Sequence, residues 1–563
     1  MRKKPLIIVL FAVIMIIIVF LFAIPDKAGK SGGKHAGKTE QDSLKIKDRV
    51  LSEKDFRKKS GASDEGAGGR MISSQDVFWE KGDAAVDSAS GTVYLPCSTQ
   101  EDLTWQKVLD GLAPADRTGV IWFKKDDAMK DLPSAIAAGH PFRALLTTDD
   151  GNLEFDVILT GLPALCIHKT DPEEITGKEN HTGTISLISR LGEEDESGMR
   201  EIHCDFHVRG NTTSFYEKKP YKISLLDANG QKQKKGLLDL RSDDDWILNP
   251  LYTDHTRVRE VTAYALWDRV TALSDSPVPS SRIRYIELFL DDSYEGIYGL
   301  MEPVDKKQLS LSQGDILYKI DKWDDEYPYM DLYEEAEENK ETWILTDRRV
   351  KCVEIRYPLN WDSTATWKPM QVFHEFCFEN GDVTTLNSAG LYTDLENTVD
   401  LSLYCALTHA ADNNWKNTFL ICRRRSAGKY ELTRTLWDLN YVFGDVFIFD
   451  FENRCSYFDT FTAEVYEPEE DSTFDFEAFL AADPSVWNRL CEKWKTWRED
   501  GISAELICST AESNMRTLKA SGAIDREMKR WPQPDTPEDA LEKMENWIGR
   551  RFDFLDSYLK GDS

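Results

Sequence analysis

The sequence lacks the cysteine and histidine patterns that hold structural zinc. Its ten cysteines include no CxxC pair and form no cluster with the nine histidines at zinc-ligand spacing. Cys204, Cys405 and Cys422 lie within apolar runs, which predicts buried free thiols, although the even cysteine count also permits disulfides. We therefore expect no structural zinc site.

The chain also lacks the positive charge of nucleic-acid-binding proteins. It carries 69 Lys and Arg against 99 Asp and Glu, a formal net charge of -30. Basic residues exceed acidic ones in residues 1–70, so the remainder is more acidic than the whole. Such a surface repels phosphate backbones, so we expect no nucleic-acid partner, and a basic protein segment is a better candidate.

The N-terminus lacks a recognisable cleavage site. Three basic residues at positions 2–4 precede the uncharged apolar run Pro5–Ile24. Twenty helical residues span about 30 Å, the hydrocarbon thickness of a bilayer. Residues 1–24 therefore predict an uncleaved transmembrane signal anchor. Basic residues on both sides of this run favour opposite orientations, because each set favours the cytoplasmic side. We expect a single-pass cell-membrane protein with an extracellular C-terminal body.

The rest of the chain divides by composition. Residues 25–70 are rich in Gly, Ser and Lys and predict a flexible linker. Residues 71–160 contain short strand-like runs and predict a small β-rich accessory module with no evident chemistry. Residues 161–563 contain longer strands and helices and predict the main domain.

The main domain is predicted to be α+β. Apolar residues recur with helical spacing over Thr256–Leu273, and Asp254 is the predicted N-cap. A β-hairpin is predicted directly after this helix. Asp400 is expected to cap a helical run ending near Ala411, and the last helix to span about Pro537–Leu559. Strands, a helix, strands and then helices follow one another, an order that kinase-like N-lobes share with many other α+β domains.

Three polar residues have the spacing of a phosphoryl-transfer site. Asp412 precedes Asn417 by five residues, and a predicted hairpin then leads to Asp438. Protein kinases place a catalytic Asp, a metal-binding Asn and a second metal-binding Asp in this order. Phosphoryl transfer needs a carboxylate to orient the attacking hydroxyl and oxygen ligands for Mg²⁺. The ordered set predicts function, although each residue alone could serve a loop, a turn or the core.

A turn earlier in the chain suits phosphate binding. The strand Phe206–Val208 enters the turn Arg209-Gly-Asn-Thr-Thr, and a second strand returns from Lys218 to Leu225. Two strands joined by such a turn can fold over a nucleotide, with backbone N–H groups reaching its phosphates. Most turns of this composition are simple hairpins, so the turn is a weak signal by itself.

Several motifs occur together over about Gly161 to Leu559. They are Arg209-Gly-Asn-Thr-Thr, Lys218-Lys-Pro-Tyr-Lys, Asp244-Asp-Trp-Ile-Leu, Tyr294-Glu-Gly-Ile-Tyr-Gly-Leu-Met-Glu302, Asp412 to Asn417 and Trp437-Asp-Leu-Asn. In these motifs and their order the chain resembles the CotH kinase family, the spore-coat-protein-H-like atypical protein kinases.

The resemblance implies a two-lobed, atypical protein-kinase-like fold with an N-lobe at about 161–305 and a C-lobe at about 306–560. It implies phosphorylation of Ser or Thr in a protein substrate, with ATP and Mg²⁺ as cofactors. The positions that match the family motifs have expected roles. Asp412 is expected to be the catalytic residue, and the metal is expected to bind Asn417, Asp438 and Asn440. The nucleotide is expected to bind Arg209, Asn211, Lys219 and Lys222, and either Lys219 or Lys222 is the lysine that contacts phosphate.

Two positions depart from the family pattern. The family usually has Trp-Asp-x-Asp, and here the last residue is Asn440. This loss of a carboxylate removes a negative charge next to the expected metal. The family also has Arg-Asn more often where this chain has Arg259-Glu260.

Two other functions remain alternatives. A surface scaffold or pseudokinase would keep the fold without turnover, as Asn440 and the scarcity of ATP outside cells suggest. A carbohydrate-active hydrolase would suit an acidic, Trp-rich exported domain, but no carboxylate pair stands out for that role.

Overall fold

The computed structural model describes the chain in segments. These are residues 46–61, 70–80, 82–99, 103–116, 118–191, 199–210, 212–320, 349–350, 353–361, 363–378, 387–410, 413, 417–445 and 484–560. The predicted anchor Pro5–Ile24 lies outside them, and no described helix is both long and apolar enough to cross a bilayer. The described cysteines are free thiols, with Cys204 and Cys422 buried and Cys405 partly buried.

The N-terminal module combines two sheets with three short helices. The larger sheet has the strand order β1-β7-β8-β9-β5-β4, and the smaller has the order β3-β2-β6. The elements are β1 Val50–Leu51, α1 Glu53–Ser60, β2 Val77–Trp79, β3 Gly82–Asp83, β4 Ala85–Asp87, β5 Thr92–Pro96, α2 Trp105–Gly111, β6 Leu112–Pro114, β7 Val120–Lys124, α3 Leu132–Ala137, β8 Pro141–Thr148 and β9 Gly151–Thr160.

This module begins earlier than the sequence predicts. Strand β1 pairs in parallel with β7, and helix α1 follows with the Ser52 side chain accepting a hydrogen bond from the Asp55 N–H. Phe56 of α1 is buried. The buried side chain of Phe56 and the capped helix α1 thus give residues 46–61 a defined structure. The sequence predicts these residues to be part of the flexible linker.

The next part of the chain is a closed seven-stranded barrel in the order β10-β11-β12-β13-β16-β18-β17. Parallel pairing of β10 with β17 closes it, whereas its other pairs are antiparallel. The strands are β10 Ala164–Lys169, β11 His181–Ile188, β12 Met199–Val208, β13 Tyr221–Leu226, β16 Asp245–Asn249, β17 Ile283–Leu290 and β18 Ser293–Met301, with β14 Lys235–Gly236 and β15 Ser242–Asp243 as a small separate pair.

The predicted hairpin is β17–β18 of this barrel. The sequence predicts a turn over residues 291–296, but the observed turn is shorter. Only Asp291 and Asp292 separate the strands, with φ of 49° and 58°. Positive φ at both central residues suits the right-handed twist of the flanking strands. Alternate residues of the barrel strands, among them Ile286, Leu288 and Leu300, are buried in one core.

The C-terminal part combines a six-stranded sheet with helices. The strand order is β20-β21-β19-β23-β24-β22. The elements are α4 Arg259–Ala272, β19 Ile316–Ile320, β20 Arg349–Val350, β21 Val353–Tyr357, α5 Ser363–Phe378, β22 Leu391–Thr393, α6 Leu395–Thr408, β23 Thr418–Ser426, β24 Lys429–Leu436, α7 Pro484–Glu499, α8 Ala504–Ala520, α9 Ala523–Arg530 and α10 Pro537–Tyr558. The predicted mixture of helix and sheet is confirmed.

The predicted caps differ from the observed ones. Asp394, not Asp400, caps α6, and its side chain accepts a hydrogen bond from the Asn397 N–H. Asp400 lies inside α6, buried, 3.3 Å from the Lys493 ammonium. Asp254 does accept a 2.8 Å hydrogen bond from the N–H of Arg259, the first residue of α4, although Val258 occupies the cap position.

Helix α4 lies between the barrel and the C-terminal helices. Trp267 of α4 makes an edge contact with Tyr404 of α6, with ring centroids 5.0 Å apart. Both belong to the largest apolar cluster, which also includes Met301 of β18 and residues of α8 and α10. The N-terminus of α4 is thereby held next to the barrel and next to the end of β24.

Candidate functional site

A cavity lies where three chain segments meet. They are the turn after β12, the connection from β16 into α4, and the segment directly after β24. The lining residues are Arg209, Thr213, Tyr216, Pro220, Asn249, Pro250, Leu251, Tyr252, Thr253, Asp254, Glu260, Trp437, Asp438 and Asn440. The cavity brings together three sequence-predicted site residues, Arg209, Asp438 and Asn440.

Arg209 is held by its turn and by an aromatic ring. Its N–H donates to the Pro220 carbonyl, 3.0 Å away, and its guanidinium lies 5.1 Å from the centroid of the Trp437 ring. Gly210 follows with φ of 89°, and a Cβ there would collide with the Thr213 hydroxyl. The glycine therefore permits the close turn that directs Arg209 into the cavity.

Asn417 and Asp438 lie just beyond the paired ends of β23 and β24. Thr418 pairs with Leu436, and the Trp437 N–H donates to the Asn417 carbonyl at 2.9 Å. Asn417 and Asp438 have φ of 55° and 61°. Asn and Asp tolerate this left-handed region better than most residues, yet such backbone is uncommon and concentrates at functional sites. The strand ends place both residues side by side, as their spacing predicts, although Asn417 does not line the cavity.

Two residues of α4 surround Asp438. The Asp438 N–H donates a 3.1 Å hydrogen bond to the Tyr264 hydroxyl oxygen. Glu260 lies one helical turn before Tyr264, so both side chains are on the face of α4 that meets Asp438. One oxygen of Glu260 accepts a 2.7 Å hydrogen bond from the Asn249 side chain.

The ionisable side chains that line the cavity shift one another's pKa values. Burial raises the pKa of Glu260 to about 8, and the nearby Asp438 carboxylate adds to the rise, against the hydrogen bond from Asn249. Burial lowers the pKa of Arg209, and Asp438 and Glu260 oppose that change. The cavity is thus lined by one guanidinium and three carboxyl groups, and two of these carboxyl groups, Glu260 and Asp438, interact in a poorly solvated space.

The loop after Asp438 is fixed to α4 by Arg259. The Arg259 guanidinium donates to the carbonyls of Val442 and Phe443, both at 2.8 Å. Within this loop, the Asn440 side-chain amide donates to the Thr253 hydroxyl at 3.3 Å. These contacts hold Asp438 and Asn440 toward the connection between β16 and α4.

The two predicted phosphate lysines do not line the cavity. Lys219 donates to the Ser214 carbonyl at 2.9 Å, and Lys222 lies on β13 with its ammonium 3.5 Å from Asp245. The preceding residue, Lys218, is fully buried, with its ammonium 2.7 Å from Glu527 of α9. Their expected role at the nucleotide stays a prediction.

Two predicted site residues, Asn211 and Asp412, lie outside the described residues. Among the residues that are described, no three His, Cys, Asp or Glu side chains are grouped to hold a metal ion. Mg²⁺ needs no such group, because one or two carboxylates together with substrate phosphates and water commonly suffice. Asp438 and the amide oxygens around it therefore fit a Mg²⁺ site that a nucleotide completes.

The fold and cavity define a mixed α/β protein whose site combines a guanidinium with carboxylates at strand and helix ends. Residues 206–555, more than half of the chain, match the family described as CotH kinase protein, and the chain belongs to this family. Membership implies a kinase-like enzyme. No curated protein matches the chain.

Sequence reasoning missed Glu260 and Tyr264 as site residues. In the sequence Glu260 stands out only as a departure from the family pattern, and Tyr264 has the features of an ordinary core aromatic. Their i, i+4 spacing was an available signal, since it puts both on one face of α4. Only the folded structure shows that this face meets Asp438.

Proposed function

We propose that the chain is a membrane-tethered atypical kinase that transfers a phosphoryl group from ATP, with Mg²⁺, to Ser or Thr of a surface or exported protein. Family membership supports the kinase class. The observation that carries the proposal is the cavity in which Arg209 and Asp438 meet at the N-terminus of α4.

Each residue has a distinct role in the proposal. Arg209 binds phosphate oxygens, and the ring of Trp437 restricts the orientations of its guanidinium. Asp438 is the carboxylate ligand of Mg²⁺, and Tyr264 fixes its backbone. Asn417 offers a further oxygen ligand, and Asp412 orients the substrate hydroxyl, as their spacing predicts. When bound, Mg²⁺ neutralises charge on the phosphates.

Ligand-induced thermal stabilisation of the full-length protein tests this proposal. ATP with Mg²⁺ should raise the melting temperature by mass action, and ATP without divalent cation should do so less. Asp438→Asn should abolish the Mg²⁺-dependent part, because it removes the metal carboxylate. Asp268→Asn, an exposed change on the same helix α4, is the control. A parent protein that gains nothing from ATP and Mg²⁺ would refute the nucleotide site.

Asn440 favours a second candidate, a pseudokinase that binds nucleotide without turnover. An amide in place of a carboxylate lowers the negative charge next to Asp438. Transfer of labelled phosphate from ATP to candidate surface proteins distinguishes the two functions. Mg²⁺-dependent ATP binding without any transfer would support the pseudokinase.

The membrane tether is proposed from the run Pro5–Ile24 alone. Full-length protein should remain in the membrane pellet after alkaline carbonate extraction. Protease added to intact cells should digest the folded body if it is extracellular. A soluble form that begins after Ile24 would contradict the anchor.

A further inference from the structure

Glu260 is a buried residue whose two carboxylate oxygens differ in their hydrogen bonding. Glu260 is only 2% exposed, and one of its carboxylate oxygens accepts a 2.7 Å hydrogen bond from the side-chain amide of Asn249. The other oxygen has no hydrogen-bond partner within the described part of the chain. A buried oxygen without a partner is costly, so such groups usually mark a missing ligand or a functional role.

Asn440, which lines the same cavity, has the same feature. It is 8% exposed, and its side-chain N–H₂ donates to Thr253. Its amide oxygen lacks a hydrogen-bond partner among the residues that the structure describes. Within the described part of the chain, one oxygen from α4 and one from the loop after β24 thus lack hydrogen-bond partners, and both residues line one cavity.

The third carboxylate of the lining, Asp254, is occupied elsewhere. One of its oxygens accepts from the N–H and the hydroxyl of Thr256, and the other accepts from the Arg259 N–H. Asp254 therefore stabilises the start of α4. Among the lining carboxylates, this leaves Glu260 and Asp438 for a ligand.

We propose that Glu260 is a ligand of the divalent cation that binds with the nucleotide and that it supplies the carboxylate missing at Asn440. This inference rests on the proposed function. Glu260 and Asp438 both line the cavity, and the Asp438 N–H is bonded to Tyr264, which lies one turn of α4 after Glu260. Asn440 adds a neutral oxygen to the same lining. Oxygen ligands of this number and charge match Mg²⁺, with phosphate and water completing the shell.

The exchange explains both departures from the family pattern at once. The chain has an amide at position 440 and a carboxylate at position 260, the reverse of the pattern that the family resemblance implies. Both positions line the cavity, so the swap keeps a carboxyl group near Asp438 while moving it to α4. A divalent cation at this place would favour the ionised form of that carboxyl group.

The inference is tested by the affinity of the full-length protein for Mn²⁺ in the presence of a non-hydrolysable ATP analogue. Calorimetry and the electron paramagnetic resonance signal of Mn²⁺ measure this affinity. Glu260→Gln keeps an acceptor for Asn249 and removes the charge. It should weaken Mn²⁺ binding by about 10–100-fold, the scale of losses at metal-site residues. Glu260→Asp should weaken it less, because the charge remains. Asp268→Asn, also on α4 but outside the cavity, should bind like the parent.

The double variant Glu260→Gln with Asn440→Asp tests the exchange itself. It should recover most of the lost affinity, since a carboxylate returns to the lining of the same cavity. Recovery would not follow from a purely structural role of Glu260. Melting temperatures without ligand show that each variant is folded.

The outcomes separate the two hypotheses. Unchanged Mn²⁺ affinity in Glu260→Gln, alongside a loss in Asp438→Asn, would overturn the inference and leave the proposed function standing. A parent that binds no Mn²⁺ with the nucleotide would overturn both. A double variant as weak as Glu260→Gln would overturn the exchange.

Discussion

The backbone N–H of Asp438 donates a 3.1 Å hydrogen bond to the hydroxyl oxygen of Tyr264, a residue buried on helix α4. Asp438 has φ of 61°, a conformation that costs free energy and needs support from its surroundings. Tyr264 gives that support, and burial raises its own pKa well above the ordinary value, so the hydroxyl stays protonated. A single bond thus couples α4 to the proposed metal ligand.

Tyr264→Phe should therefore affect catalysis more than stability. Removing the hydroxyl leaves the Asp438 N–H without its acceptor and should cost about 1 kcal/mol of unfolding free energy. Phosphate transfer should fall about tenfold or more, because Asp438 is no longer held in place. The measurements are kcat, KM and urea unfolding.

Tyr404→Phe is the matched control for Tyr264→Phe. The Tyr404 hydroxyl donates to the Ala263 carbonyl at 2.7 Å, also on α4 but away from the cavity. Its loss should lower stability by a similar amount and leave kcat nearly unchanged. Equal kcat losses in both variants would show that α4 stability, not Asp438 positioning, sets the rate.

A buried charge network joins the barrel to α9. The Glu527 carboxylate lies 2.7 Å from the Lys218 ammonium and 2.9 Å from the Arg257 guanidinium, and it also accepts from the Ile297 N–H at 2.8 Å. Burial lowers the pKa of Lys218 to about 8, against the attraction of Glu527. Gly296 leaves room for the carboxylate, since a Cβ there would collide with it.

Glu527→Gln should destabilise the fold strongly. It leaves two buried cations without a counter-charge, and breaking a buried ion pair typically costs about 3–5 kcal/mol. Lys218→Met should cost less, because Glu527 keeps Arg257 as its partner. Urea unfolding of both variants checks the order, and a larger loss in Lys218→Met would contradict this account of the network.

Local pattern and spacing predicted much of this molecule. The hairpin β17–β18, the final helix Pro537–Tyr558 and the positions of Asn417 and Asp438 at strand ends all follow from short-range signals. Closure of the barrel does not, because β10 and β17 pair across more than a hundred residues and nothing local specifies their register.

The errors also have physical causes. Asp400 has the sequence features of a cap, but Asp394 precedes it in a segment that pairs with β24 and so starts the helix earlier. A feature that the sequence does not show is the burial of Lys218, which stands beside a second lysine. Its partner Glu527 lies on α9, which sequence spacing cannot bring to β13.

The Asp244 carboxylate should make stability depend on pH. Burial raises its pKa, but the hydrogen bond and charge of Lys307 outweigh this and hold the pKa at about 2. A folded-state pKa below the ordinary value of 3.8 stabilises the fold above about pH 4, and this contribution is lost as the pH falls toward 2.

Asp244→Asn isolates this effect. The variant should be less stable than the parent by about 1–2 kcal/mol near pH 6. The difference should begin to shrink by pH 3, because the Asp244 carboxyl of the unfolded chain becomes protonated while that of the folded protein, with its pKa of about 2, stays mostly ionised. Urea unfolding at pH 6, 4 and 3 measures it. A difference that stays constant over this range would mean that packing, not charge, accounts for the loss.

The last prediction concerns which cation binds the nucleotide phosphates. Arg209 lines the cavity and lies over Trp437, whereas Lys219 and Lys222 are engaged with Ser214 and Asp245 outside it. Arg209→Gln should therefore weaken ATP binding by about tenfold or more, the scale of a charge-assisted hydrogen bond. The double change Lys219→Met with Lys222→Met should weaken it less. Calorimetric ATP binding with Mg²⁺ compares the three proteins, and melting temperatures without ligand control for folding. If the double variant loses more affinity than Arg209→Gln, the nucleotide binds along β13, as the lysine motif predicts, and the cavity at Arg209 is not the phosphate site.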